Sequence, residues 1–144
     1  MNKSIIHFLE EQSCANICCV DAACKPYCFS CFYAFHAEEG LLCFKSSPDT
    51  HHARLMKMNP HVAGTILPDK LNKLLIKGLQ FEGTIVPDYH PLAEKGRRCY
   101  VQSHPLSMAI PGEVWTIQIH SIKLTDSTKV FGRKTHWARN EQEV

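Results

Sequence analysis

The chain has 144 residues, 44% of them apolar, and its sixteen Lys and Arg against fourteen Asp and Glu leave a net charge of +2. This suits one globular domain with one modest core and is too short for a radical-chemistry barrel. No run concentrates the charge, so a nucleic-acid surface is not indicated. The opening MNKSIIHFLEEQS turns acidic straight after a short apolar group and lacks the long apolar centre of a signal peptide. Residues 27 to 37, the longest apolar-rich stretch, are too short to span a bilayer. The expected setting is the cytoplasm, where the eight cysteines are reduced thiols, many of them small buried apolar side chains.

Taken in chain order, Ser4 is expected to cap a helix over residues 5 to 12, with Ile5, Ile6, Phe8 and Leu9 on one stripe. CANICCV (14 to 20) reads as a buried strand. YCFSCFYAF (27 to 35) is apolar on both alternating faces, as a central strand covered on both sides is. After the turn AEEG, LLCFKSS (41 to 47) is a third strand. Pro48 and Asp49 open a helix over about 49 to 58, which Asn59 and Pro60 end. HVAGTIL returns as a fourth strand. A long fifth strand follows over 74 to 86, where Gly78 and Gly83 signal bulges or bends that let a sheet curl. A short helix is expected across 91 to 102, then EVWTIQIHSIKLTD (113 to 126), whose alternation slips phase between Ile119 and Ile122 as at a bulge, and a last piece from Val130 to Trp137. Together these predict an α+β, mainly β, fold: an antiparallel six- to seven-stranded split β-barrel with two or three short helices. No repeat or linker divides the chain, so residues 1 to 144 read as one domain.

The segment CKPYCFSC (24 to 31) has the C-x3-C-x2-C spacing of a radical-enzyme iron–sulfur site. On a strand, however, Cys28 and Cys31 point to opposite faces and cannot share a cluster. No second Cys or His pair at ligand spacing accompanies C-x2-C for zinc. No metal is therefore expected, and buried structural cysteines are the simpler reading.

A different constellation follows the third strand: Lys45, Ser46, Ser47, Thr50, His51, His52 and Arg54 surround an expected helix start. Helix N-termini offer free N–H groups and a positive dipole end, hydroxyls add neutral donors, and basic side chains add charge, which is the chemistry a phosphate needs. The plain alternative is an ordinary capped helix with an exposed polar face. The aromatic strand from Phe29 to Phe35 adds a wall along which a planar ring system could lie. The other seven histidines are scattered and read as surface or satisfied groups. Trp115 reads as core, whereas Trp137, in a polar tail, is less easily placed in its own subunit's core and suits an interface or ligand contact.

The order of these motifs resembles the pyridoxamine 5′-phosphate oxidase-like FMN-binding split barrels, and among them the small uncharacterised bacterial proteins of the YhbP type. The resemblance runs over nearly the whole chain: NP-x-V-A-G-T at 59 to 65, G-x-Q-F-x-G at 78 to 83 and the ending K-x-x-W-x-R at 134 to 139 are specific as a set. It implies a homodimer with two FMN sites at the subunit interface. The flavin phosphate would be held near Ser46, Ser47, Thr50, His51 and His52, with Lys45 beside them. The ring would lie against Ser30, Cys31 and Phe32, and the partner subunit would contribute Gln80 and Trp137. Where many members have Arg or Lys at the helix opening, this chain has two histidines, so FMN affinity is expected to fall as pH rises above their pKa values. An apolar surplus for so small a barrel also favours a dimer. The function implied is an FMN-dependent oxidoreductase acting by hydride transfer on an unidentified small molecule. The alternatives are a non-catalytic flavin-binding or flavin-sensing dimer, and a haem-binding protein on the same fold. No catalytic residue can be assigned.

Overall fold

The structure, a computed structural model, describes residues 1–128 and 132–142. It opens with helix α1 (Lys3–Glu11), whose N-cap is Asn2 and not the expected Ser4: the Asn2 carboxamide accepts from the Ser4 N–H at 2.8 Å. Strands β1 (Cys14–Val20), β2 (Pro26–His36) and β3 (Leu41–Ser46) form an antiparallel meander, followed by helix α2 (His51–Met58). Next come β4 (His61–Ile66), β5 (Lys77–Ile85) and helix α3 (Pro91–Ser103). A 3-10 segment (Pro105–Ala109), β6 (Glu113–Asp126), β7 (Arg133–Ala138) and a second 3-10 segment (Arg139–Gln142) complete the described chain.

The strands run in the order β3-β2-β1-β4-β5-β6-β7, and β3 also pairs with β6. That extra pairing closes six strands into an antiparallel barrel and leaves β7 as an added strand on β6, as the expected split barrel requires. Closure depends on β6 pairing with both β3 and β5: its residues 113–118 pair with β3 and 117–126 with β5, while β7 pairs with 121–126. The expected slip is there: Glu82 faces Ser121 and Gly83 faces Ile119, so His120 is the extra residue of a bulge. Gly83 has no room for a side chain, since a Cβ would sit 2.5 Å from the Gln118 carbonyl oxygen. Gly64 is equally obligatory, because the Phe81 ring crosses β4 where a Cβ would lie 2.4 Å from its Cζ. At Gly78 the register runs on unbroken, so no bulge forms there.

The barrel interior holds Ile17, Leu42, Phe44, Leu79, Phe81, Ile117 and Ile119, with Ile5, Phe8 and Leu9 of α1 and Ala53, Leu55 and Met56 of α2 joining the same cluster. Each fully buried aliphatic or aromatic side chain contributes about 1.5–3 kcal/mol relative to exposure. A second cluster, Ala34, Leu41, Cys43, Cys99 and Tyr100, lies beneath α3.

Three expectations are corrected. Alternate residues of β1 are buried, and β2 buries Tyr33 and Ala34 with Phe29 and Cys31 half-buried; the other face carries Cys18, Cys28, Ser30 and a Phe32 that is 66% exposed, so β2 is central by pairing without being covered on both sides along its length. The fifth strand begins at Lys77, and Leu74, Leu75 and Ile76 lie in the exposed preceding loop. Helix α2 begins at His51, because Ser47 to Thr50 form a turn. The expected start of the last strand at Val130 lies outside the described residues.

Candidate functional site

The run from Lys45 to His52 folds into a compact polar corner. Thr50 is the N-cap of α2: its Oγ1 accepts from Ala53 N–H at 3.2 Å and donates to the Ser47 carbonyl at 3.0 Å. The first intrahelical bond, Arg54 N–H to the Thr50 carbonyl at 3.2 Å, leaves the N–H groups of His51 and His52 without an intrahelical acceptor. The Ser47 hydroxyl accepts from Asp49 N–H at 3.3 Å. Ser46 Oγ and His52 Nε2 share a hydrogen bond of 2.6 Å, and Lys45 Nζ donates to the Ser107 carbonyl at 2.6 Å.

Both histidines are docked on the aromatic residues of β2. The His52 ring stacks on Phe29 with centroids 3.8 Å apart and planes 10° from parallel. His51 meets Tyr27 edge-on at 4.8 Å, and Phe29 in turn leans on Phe44 in the core. Burial, and then the neighbouring His51, hold the His52 pKa below the ordinary histidine value. A neutral His52 is no cation, so the donors the corner presents are the Ser47 hydroxyl, backbone N–H groups and the exposed His51.

The β2 candidates divide by face. Ser30 and Phe32 point outward, whereas Cys31 turns in toward the core, where burial and the nearby Cys14 push its thiol up to about 12. A ring lying on the outer face would therefore meet Ser30 and Phe32 but not the Cys31 thiol. Gln80 and Trp137 both line an open cleft of about 890 Å³ across β1, β2, β4, β5, β6 and β7, together with Asn16, Cys18, Cys28, Thr65 and His136. A shallower groove of about 370 Å³ holds Ser30 and shares Asn16 and Thr65 with the cleft, which makes the two one continuous outward face.

Trp137 departs from its expected role in one respect. It is only 9% exposed and packs within the main core, with the Arg139 guanidinium 5.4 Å from its ring centroid, so its own subunit does account for its burial. Its indole N–H is buried without a hydrogen-bond partner among the described residues, an unsatisfied donor on a residue of the cleft wall. The corner residues Ser46, Ser47, Thr50, His51 and His52 do not line this cleft. The chain thus carries two separate sets of candidates. Sequence reasoning did not single out Asn16, Cys18, Thr65 and His136, because only strand pairing brings them onto one face; the alternation of polar residues within CANICCV was the available signal.

Among the described residues, no group of three or more His, Cys, Asp or Glu converges as metal ligands, and no helix is long and apolar enough to cross a membrane.

Comparison with known proteins gives the same architecture. No family model matches the chain. A UPF0306 protein of Photorhabdus laumondii is 34% identical over 139 residues, covering 96% of each chain. A haem-binding protein from Mycobacterium smegmatis superposes with a TM-score of 0.71 at 12% identity, over 91% of this chain and 55% of that one. An FAD-binding protein from Mesorhizobium loti superposes with a TM-score of 0.65 at 17% identity, over 94% of this chain and 96% of that one.

Proposed function

The chain belongs to the UPF0306 family, and from that premise we propose that it is an FMN-binding split-barrel protein, a flavin-dependent oxidoreductase acting on a small molecule. The observation that carries the reading is the polar corner at the start of α2: two free helical N–H groups with the Ser47, Thr50 and His51 side chains, beside the aromatic residues of β2. This donor set fits a phosphate, with the Ser47 hydroxyl supplying a neutral hydrogen bond and the helix start a positive dipole end, while Thr50, whose one O–H goes to the Ser47 carbonyl, holds the turn in shape. When bound, the flavin would supply hydride chemistry, and the chain would supply position and shelter. His52, tied to Ser46 and Phe29, would orient the helix start.

The second half of the site is proposed to come from a partner subunit. The corner and the cleft are separate in one protomer, and a homodimer would unite one copy's corner with another's Gln80 and Trp137. The exposed Phe32, Leu67 and Leu71 on the outward face support such a contact. The YhbP-type affiliation read from the motifs belongs to the same proposal. The mesorhizobial neighbour's FAD-binding description is consistent with a flavin. A second reading, a haem site, is favoured by His136 on the cleft wall as an axial ligand and by the mycobacterial neighbour's haem-binding description.

Titration of purified protein with FMN, read by quenching of flavin fluorescence, tests the first reading. Replacing both Ser47 and His51 by alanine is expected to weaken binding roughly tenfold or more per lost charge-assisted donor, while circular dichroism shows the chain still folded. Undiminished FMN affinity in that variant contradicts the corner as phosphate site, and a Soret band on haem addition without FMN binding selects the second reading.

A further inference from the structure

Eight cysteines in 144 residues call for a use beyond packing, and the pairing of β1 with β2 singles out two of them. Cys18 and Cys28 are direct cross-strand partners. Two backbone bonds fix the parity of this ladder: Tyr33 N–H to the Ser13 carbonyl at 3.3 Å, and Asp21 N–H to the Lys25 carbonyl at 3.0 Å. Ser13 with Tyr33, and Asp21 with Lys25, are therefore hydrogen-bonded pairs. Counting inward from either end along the register makes Cys18 opposite Cys28 a non-hydrogen-bonded pair. In such a pair the Cα atoms approach to about 4.5 Å and the side chains stand closest, within the roughly 4.4–6.8 Å span that a disulfide bridges. Both side chains lie on the outward face and line the large cleft, with Cys28 exposed and Cys18 half-buried.

The other cysteines near Cys28 are worse placed. Cys31 is on the opposite face, Cys19 points inward with its thiol on the Tyr27 carbonyl at 3.5 Å, and Cys24 sits in the turn before β2 at a positive φ of 60°. Cys43 and Cys99 also meet, but that pair is sealed beneath α3.

We propose that Cys18 and Cys28 form a thiol–disulfide site on the cleft wall, oxidised by a low-molecular-weight aliphatic disulfide. The exposed Cys28 thiolate attacks one sulfur of the small disulfide, forming a mixed disulfide and releasing one thiolate. Cys18 then gives up its proton and attacks the Cys28 sulfur, forming the cross-strand S–S bond and releasing the second thiolate. Two electrons pass from the cysteines to the small disulfide, which leaves as two thiols once both thiolates are protonated. Burial, and then the adjacent Cys28, raise the Cys18 thiol pKa, which fits Cys18 as the resolving member. A bridge at the short end of the Cα range is of the readily reduced kind, so a dithiol reopens it. The thiol chemistry needs no cofactor, and its two cysteines share a cleft wall with Gln80 and Trp137.

The test uses the full chain, reduced, desalted and incubated with oxidised glutathione, then alkylated and weighed intact. Cleavage before Asp21 separates the two strands, so the bridge appears as a link between their fragments. The expected result is loss of two alkylatable thiols, a Cys18–Cys28 link and no retained glutathione. In Cys18→Ser the resolving thiol is gone, and glutathione is expected to stay on Cys28. Glutathione retained on Cys28 of the unaltered protein, a link from Cys28 to Cys24 or Cys31, or an unreacted Cys28 would each overturn the proposal.

Discussion

Replacing His52 by alanine removes two interactions of known geometry. The ring stack on Phe29, at 3.8 Å and 10°, is an offset or parallel aromatic contact worth about 0.5–1.5 kcal/mol. The hydrogen bond with Ser46 at 2.6 Å is worth about 0.5–1.5 kcal/mol net. The two together give a loss of about 1–3 kcal/mol, and since His52 is only half-buried the lower half of that range is expected. For a chain of this length each kcal/mol moves the midpoint by roughly 3–4 °C, so thermal unfolding followed by circular dichroism should show a fall of roughly 3–8 °C.

The same residue sets a pH dependence whose sign is fixed. Its folded-state pKa lies below the ordinary value of 6.5, through burial first and His51 second. Above 6.5 the imidazole is neutral in both folded and unfolded chains, and its full contribution is present. As pH falls below 6.5 the unfolded chain takes up the proton first, and that contribution is lost progressively. The gap in melting temperature between the unaltered protein and His52→Ala should therefore narrow on acidification. A variant that melts with the unaltered protein at neutral pH, or a gap that widens on acidification, refutes this account of how α2 is seated.

Other substitutions probe the elements around the site. Gly96→Ala would place a methyl 2.0 Å from Thr116 Oγ1 and force α3 off β6, lowering stability by about 1–3 kcal/mol in urea unfolding. Tyr33→Phe removes the buried hydroxyl that donates to the Leu9 carbonyl at 2.6 Å and ties α1 to β2; a loss of about 1–3 kcal/mol is expected by the same method. Thr50→Ala deletes the cap of α2 and should cost about 1 kcal/mol of stability while weakening FMN in equilibrium titration; Thr50→Ser, which keeps the hydroxyl, should restore both.

The strands legible in advance were those whose burial follows their own alternation. β1 and β6 have the bounds that CANICCV and EVWTIQIHSIKLTD suggest, and the slip after Ile119 is visible because a bulge shifts the phase of apolar residues. Pattern misled where apolar residues are exposed. Leu74, Leu75 and Ile76 look like strand but have no partner strand, since the β4–β5 ladder ends at Ile66 opposite Leu79. Phe32 suggested a covered face that this chain alone does not cover. Trp137 lies in a polar segment, and only its pairing opposite Ile122 puts the indole into the core. The corner around Thr50 was legible because it is local, built within a single turn. The cleft was not, because Asn16, Cys28, Gln80 and Trp137 meet only through pairings among six different strands.

The central claim is that the α2 corner holds a flavin phosphate, and equilibrium titration of the purified chain with FMN against riboflavin tests it most directly. The two ligands share the ring and differ by the phosphate. Saturable uptake of one FMN per chain, with riboflavin bound at least tenfold more weakly, is the predicted result, since the phosphate contacts are charge-assisted and roughly 1.4 kcal/mol corresponds to a factor of ten. Equal affinity for the two, or no uptake of either, would contradict it.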